Sequence, residues 1–120
     1  METVTGIGGV FFRARNPQAL MDWYETHLGV SRVPGSYDAL PWQQEAGPTV
    51  FAPFNQDTDY FGADERQWMI NFRVRDLAAM VAQLASAGIA VVVDDTVYPN
   101  GRFARLHDPE GNAVELWQPA

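Results

Sequence analysis

A chain of 120 residues, 47% of them hydrophobic, has the content of one compact domain and is too short for two independent ones. Its net charge of -7 opposes nucleic-acid binding, which draws most of its affinity from Lys and Arg on phosphates, and the absence of cysteine excludes disulfides, thiolate metal sites and thiol nucleophiles. No run approaches the roughly 20 apolar residues that span a bilayer, and no basic region with an apolar core opens the chain, so the sequence reads as a soluble, cytoplasmic protein with no membrane partner.

In chain order, "TGIGG" (Thr5 to Gly9) opens a strand and does not join a strand to a helix, so it lacks phosphate-cradling geometry. In "VFFRAR", Val10, Phe12 and Ala14 take one face and Phe11 and Arg13 the other, together with Gly9. "NPQALMDWYETHLG" predicts a helix capped by Asn16, with Pro17 in its first position, Leu20, Trp23, Tyr24 and Leu28 on one side, and Gly29 as its stop. "LPWQQEAGPTVFAPF" follows as strand-like sequence placing Phe51 on the second face, with Thr49 and Pro53 as neighbours. The acidic "NQDTDYFGADE" (Asn55 to Glu65), rich in turn formers, reads as a solvated linker.

The second half repeats the first. In "MINFRVRD", Ile70, Phe72 and Val74 alternate with Asn71, Arg73 and Arg75, and Arg13 aligns with Arg73 as Asn16 does with Asp76. "DLAAMVAQLASAG" predicts a helix capped by Asp76, apolar at Leu77, Met80, Val81 and Leu84, and ended by Gly88. In "GRFARLHDPEGNAVELWQP", Pro109 and Gly111 mark a turn between two strands. A three-residue loop with a bulged Gly pairs Asp108 with Asn112 and sets Arg105 opposite Glu115 as an ion pair, whereas a two- or four-residue loop turns Arg105 to the other face. Each half reads strand, helix, three strands: the first over about residues 5–54, the linker over 55–66, the second over 67–119. The expected fold is α+β, with both helices covering one sheet face through Val10, Phe12, Ala14, Ile70, Phe72 and Val74.

The other face mixes apolar and ionisable groups: Gly9, Phe11, Arg13, Phe51, Met69, Asn71, Arg73, Glu115 and Trp117. A solvated face would be mostly charged and a buried one would not hold several ionisable groups, so a partly enclosed pocket accounts for it best. Arg13 and Arg73 read equally as rim charges that solvate the sheet.

Three segments, "GGVFFRARNPQALMDWYETHLG", "MINFRVRDLAAMVAQLASAG" and "GRFARLHDPEGNAVELWQP", resemble the vicinal oxygen chelate superfamily, which includes glyoxalase I, bleomycin-resistance proteins and extradiol dioxygenases. The resemblance implies paired βαβββ modules whose mixed sheets curl into a cup with helices outside, in a homodimer, with a small molecule held in the cup. It also places the metal ligands of metal-using members at positions that here read Gly9, Phe51, Met69 and Glu115. Only Glu115 among them binds metal well, and a catalytic divalent site needs about three protein ligands; His27 and His107 lie outside those places and read as surface or packing residues. The sequence therefore points to a small-molecule binding protein with no metal or other cofactor. In it Phe11, Phe51, Met69 and Trp117 are walls, and Arg13, Asn71, Arg73, Arg105 and Glu115 are polar contacts. Within such a pocket the arginines would favour an anionic or carbonyl-bearing ligand. The alternatives are a metal-independent isomerase or lyase with Glu115 as general base and Arg13 or Arg73 stabilising an enolate, a metal-dependent glyoxalase or dioxygenase, and a relative whose cup is filled by its own side chains.

Overall fold

The computed structural model describes residues 1–120. Helix α1 (Pro17–Leu28) is followed by strand β1 (Ile70–Arg73), helix α2 (Leu77–Ser86) and strands β2 (Val92–Val93), β3 (Gly101–His107) and β4 (Ala113–Pro119). Both helices begin as their caps dictate. The Asn16 side chain accepts from the Ala19 amide at 3.1 Å and that of Asp76 from the Ala79 amide at 3.0 Å, each satisfying a donor that the first turn leaves without a partner. At the other end Gly29, with φ 72°, adopts the left-handed conformation that closes α1.

The strands form one mixed sheet in the order β1-β4-β3-β2, with β1 and β4 parallel and the other pairs antiparallel. A parallel pair cannot be joined by a tight turn, and α2 lies in the connection that separates β1 from the antiparallel strands. The loop between β3 and β4 is the three-residue form: Asp108 N donates to Asn112 O and Gly111 N to Asp108 O, both at 3.0 Å, with Gly111 at φ 84°. That loop fixes the register, so Arg105 stands opposite Glu115 and Phe103 opposite Trp117.

One face of the sheet is the core. Ala104 and Leu106 of β3 and Val114 and Leu116 of β4 pack with Leu77 and Leu84 of α2 and Leu20 and Tyr24 of α1. Each fully buried Leu in this layer contributes roughly 1.5–3 kcal/mol relative to exposure. A buried polar hub locks α1 to the hairpin. Asp108, 4% exposed, accepts from the Tyr24 hydroxyl and from Asn112 Nδ2, both at 2.7 Å, and from the amides of Glu110 and Asn112. Burial first, and then the hydrogen bond to Asp108, hold the Tyr24 hydroxyl well above the usual tyrosine range. The Glu110 carboxylate in turn accepts from the amides of Arg15 and Asn16, which lowers it from the ordinary glutamate value.

The second half thus has the expected strand, helix and three strands. The first half differs: its helix forms, but the strand-patterned sequence on either side has no ladder partner. No backbone group of residues 1–15 or 31–54 bonds to another backbone group. Val10, Phe11, Val50 and Phe51 are 56%, 96%, 70% and 86% exposed, so Val10 does not join the core, and neither does Phe12, which is exposed and pairs with the Trp68 ring at 4.8 Å. The physical reason is that alternation gives a strand two faces but does not supply a neighbour, and an unpaired strand is not stable. The chain accordingly exposes 9193 Å², against about 6,500 Å² for a compact protein of its mass. Its radius of gyration is 15.4 Å, against about 13.6 Å for a compact chain.

Candidate functional site

Residues Ala113, Glu115 and Trp117 of β4 alternate with the core residues Val114 and Leu116 and so face away from the helices. Parallel pairing brings Asn71 beside Glu115 and Arg73 beside Trp117, while Arg105 and Phe103 flank them from β3. Glu115 is 7% exposed. Asn71 Nδ2 donates to its Oε1 at 2.7 Å, and the Tyr60 hydroxyl donates to its Oε2. Burial, then the hydrogen bond to Glu115, push the Tyr60 hydroxyl up to about 12, so Tyr60 remains a donor at neutral pH.

Arg105 does not bond to Glu115. Its Nη2 donates to the Tyr60 carbonyl and approaches Met69 Sδ at 3.6 Å, with the guanidinium carbon 4.2 Å from the Tyr60 ring centre. The expected cross-strand ion pair is therefore replaced by a cation stacked on an aromatic ring. Trp117 stacks beside Phe103 at 6.3 Å and donates its indole N–H to Asn100 O at 2.8 Å. Gly101 makes room for that indole: a Cβ there would collide with the Gln118 carbonyl and stand 2.8 Å from Trp117 Nε1.

Of the residues singled out from sequence, Met69, Asn71, Arg105, Glu115 and Trp117 come together here. Arg73 is adjacent but engaged, donating to Pro48 O and Glu45 O at 2.7 Å each and to Thr49 Oγ1 at 3.3 Å. It pins the first half of the chain to β1. Phe11, Arg13 and Phe51 are exposed and do not reach Glu115 within the chain. Tyr60 is the residue that sequence reasoning missed. Most of the linker around it, including Asp57, Asp59, Asp64 and Glu65, is exposed, but Tyr60 and Phe61 are half-buried. The available signal was the aromatic pair Tyr60-Phe61 inside an otherwise polar run.

The glyoxalase-like domain family matches residues 9–117. The chain belongs to that family, and through it to the vicinal oxygen chelate superfamily. Two solved structures share the fold of this glyoxalase-like domain. TnmS3, an antibiotic binding protein from Streptomyces sp. CB03234, is 22% identical with a TM-score of 0.65 over 100% of both chains. A glyoxylase/bleomycin resistance protein/dioxygenase domain from Frankia sp. EAN1pec is 19% identical with a TM-score of 0.63, over 98% of this chain and 100% of that one. No curated protein matches.

Some members of the superfamily use a divalent ion; the one carboxylate that this chain brings to the candidate site is Glu115. Nowhere do three or more His, Asp or Glu side chains converge. Glu115 has its two oxygens engaged by Tyr60 and Asn71. His27 packs on Trp23 at 5.5 Å and His107 is exposed. No helix is long and apolar enough to cross a membrane.

Proposed function

We propose that this glyoxalase-like protein binds a small molecule on the open face of its sheet, without a catalytic metal, and works as a homodimer. The observation that carries the reading is Glu115. A carboxylate that is 7% exposed is costly to keep, and it stands on the sheet face that the helices leave uncovered, where the core has no use for it. Beside it are the amide of Asn71, the thioether of Met69 and the indole of Trp117, a set of mixed polarity suited to an organic ligand. The antibiotic-binding TnmS3 makes antibiotics the first compounds to try.

A thermal-shift screen of antibiotics, aromatic acids, phenols and amines tests the reading. It predicts at least one compound that raises the melting temperature in proportion to its concentration. A complete absence of hits would contradict it.

The homodimer follows from what the single chain leaves unfinished. Residues 9–15 and 40–54 have strand-like sequence, backbone groups without backbone partners and exposed Phe11 and Phe51. The surface in excess of a compact chain is about 2,700 Å², of the order that each partner buries in an obligate dimer. A second copy would pair those strands, complete the module at residues 5–54 beside the one at 67–119, and turn Phe11, Arg13 and Phe51 towards a binding face. Sedimentation equilibrium is expected to give twice the chain mass of 13.4 kDa. A single 13.4 kDa species at all concentrations would rule the dimer out.

A further inference from the structure

The segment between the two halves enters the candidate site and fills part of it. Tyr60 lies in irregular chain, yet its hydroxyl is on Glu115 Oε2 and its carbonyl on Arg105 Nη2. The Arg105 guanidinium stands over its ring at 4.2 Å, and the ring of Phe54 stacks with it at 5.7 Å and 24°. Within the segment the hydrogen bonds are those of turns: Thr58 N to Asn55 O, Tyr60 N to Thr58 Oγ1 and Gly62 N to Asp59 O. None joins its backbone to a strand through a ladder, so the contacts of Tyr60 hold it to the sheet. Downstream, Arg66 is fixed to the β3–β4 loop by Asn112 Oδ1 and Glu110 O, each at 2.8 Å. The segment is therefore anchored at Arg66 and attached to the site through one residue, Tyr60, by its side chain and its carbonyl, an arrangement that can open without breaking the fold.

We infer that residues 54–61 are a strap that covers the binding face in the free protein, that Tyr60 is its latch, and that the ligand must carry an O–H or N–H donor to replace the Tyr60 hydroxyl on Glu115. This rests on the reading of that face as a ligand site. The donor requirement follows from the carboxylate. Withdrawing Tyr60 and leaving Glu115 Oε2 without a partner in a dry site is strongly unfavourable, and a ligand with only acceptors cannot restore the bond. Arg73 is engaged by Glu45, Pro48 and Thr49, whereas withdrawal of Tyr60 frees Arg105 to take an acceptor on the same ligand. To the anionic or carbonyl-bearing ligand expected from the sequence this adds the requirement of an O–H or N–H donor, such as phenols, alcohols, amides and amines carry.

The full chain with Tyr60→Ala provides the test, with p-cresol as a stand-in for the deleted side chain and toluene as the same shape without the hydroxyl. In an NMR titration p-cresol is expected to bind Tyr60→Ala at least about tenfold more tightly than the wild type, and toluene to show no such gain. Equal p-cresol affinity for the two proteins, or an equal gain for toluene, would overturn the latch. Tyr60→Phe, which keeps the ring and its packing, covers the case in which Tyr60→Ala does not fold. Amide exchange over residues 54–61 should then quicken about tenfold, and unchanged exchange would count against the latch. Screening hits that stabilise the wild type and Tyr60→Phe equally would remove the latch and leave the binding face standing. A screen without hits, together with p-cresol bound by Tyr60→Ala, would keep the latch and remove the ligand reading.

Discussion

Asp108→Ala is expected to lower the unfolding free energy by about 3–5 kcal/mol, a large share of the 5–15 kcal/mol that holds a typical domain together. The reason is local. Asp108 is 4% exposed and accepts from the Tyr24 hydroxyl, the Asn112 amide side chain and two backbone amides. Alanine would leave those donors buried without a partner, at about 1–3 kcal/mol for each that water cannot reach. It would also release α1 from the β3–β4 loop and so loosen the strand that carries Glu115. Asp108→Asn keeps one acceptor oxygen, for the Tyr24 and Asn112 side chains or for the two backbone amides, and turns an NH2 towards the other pair of donors, so it should also destabilise, by at least about 1 kcal/mol. Urea unfolding of the two variants measures this, and a loss under about 1 kcal/mol for Asp108→Ala would mean that the hub does not hold the hairpin.

What could be read from the sequence was what depends on near neighbours along the chain. The caps at Asn16 and Asp76, the stop at Gly29 and the loop at Gly111 involve groups only a few residues apart, and the residue types there dictate the outcome. The β3–β4 register follows from that loop: of the loop lengths the sequence leaves open, the three-residue form is found, and it sets Glu115 opposite Arg105. Contacts that depend on the path of irregular chain could not be read in this way. Register sets where Cα atoms lie, but the Arg105 guanidinium sits at the end of a long side chain and settled on the Tyr60 carbonyl and ring. Arg73 likewise reached a loop from the first half. The exposed strand-patterned residues around Phe11 and Phe51 show the other limit, since alternation says that a stretch suits a sheet without saying which chain supplies the neighbouring strand.

The second large effect concerns binding. Glu115→Gln keeps the size of the side chain and one carbonyl acceptor but removes the charge and turns half of the acceptor capacity into a donor. The Tyr60 hydroxyl or a ligand donor would then meet an N–H where it meets an oxygen now. Affinity for any compound found by thermal shift should fall at least about tenfold, because charge-assisted hydrogen bonds are the strong ones. Stability should change little or rise, since the cost of a buried charge is lifted at the same time.

Following the indole N–H signals during titration of the strongest screening hit, into the wild type and into Glu115→Gln, tests the central claim most directly. Of the four tryptophans, Trp117 lies on the Glu115 face and Trp23 packs with the core on the helical side. The expected result is a Trp117 signal that shifts to saturation in the wild type and hardly moves in Glu115→Gln, with Trp23 unchanged in both. A shift confined to Trp23, or equal Trp117 curves for the two proteins, would place the ligand elsewhere and contradict the account.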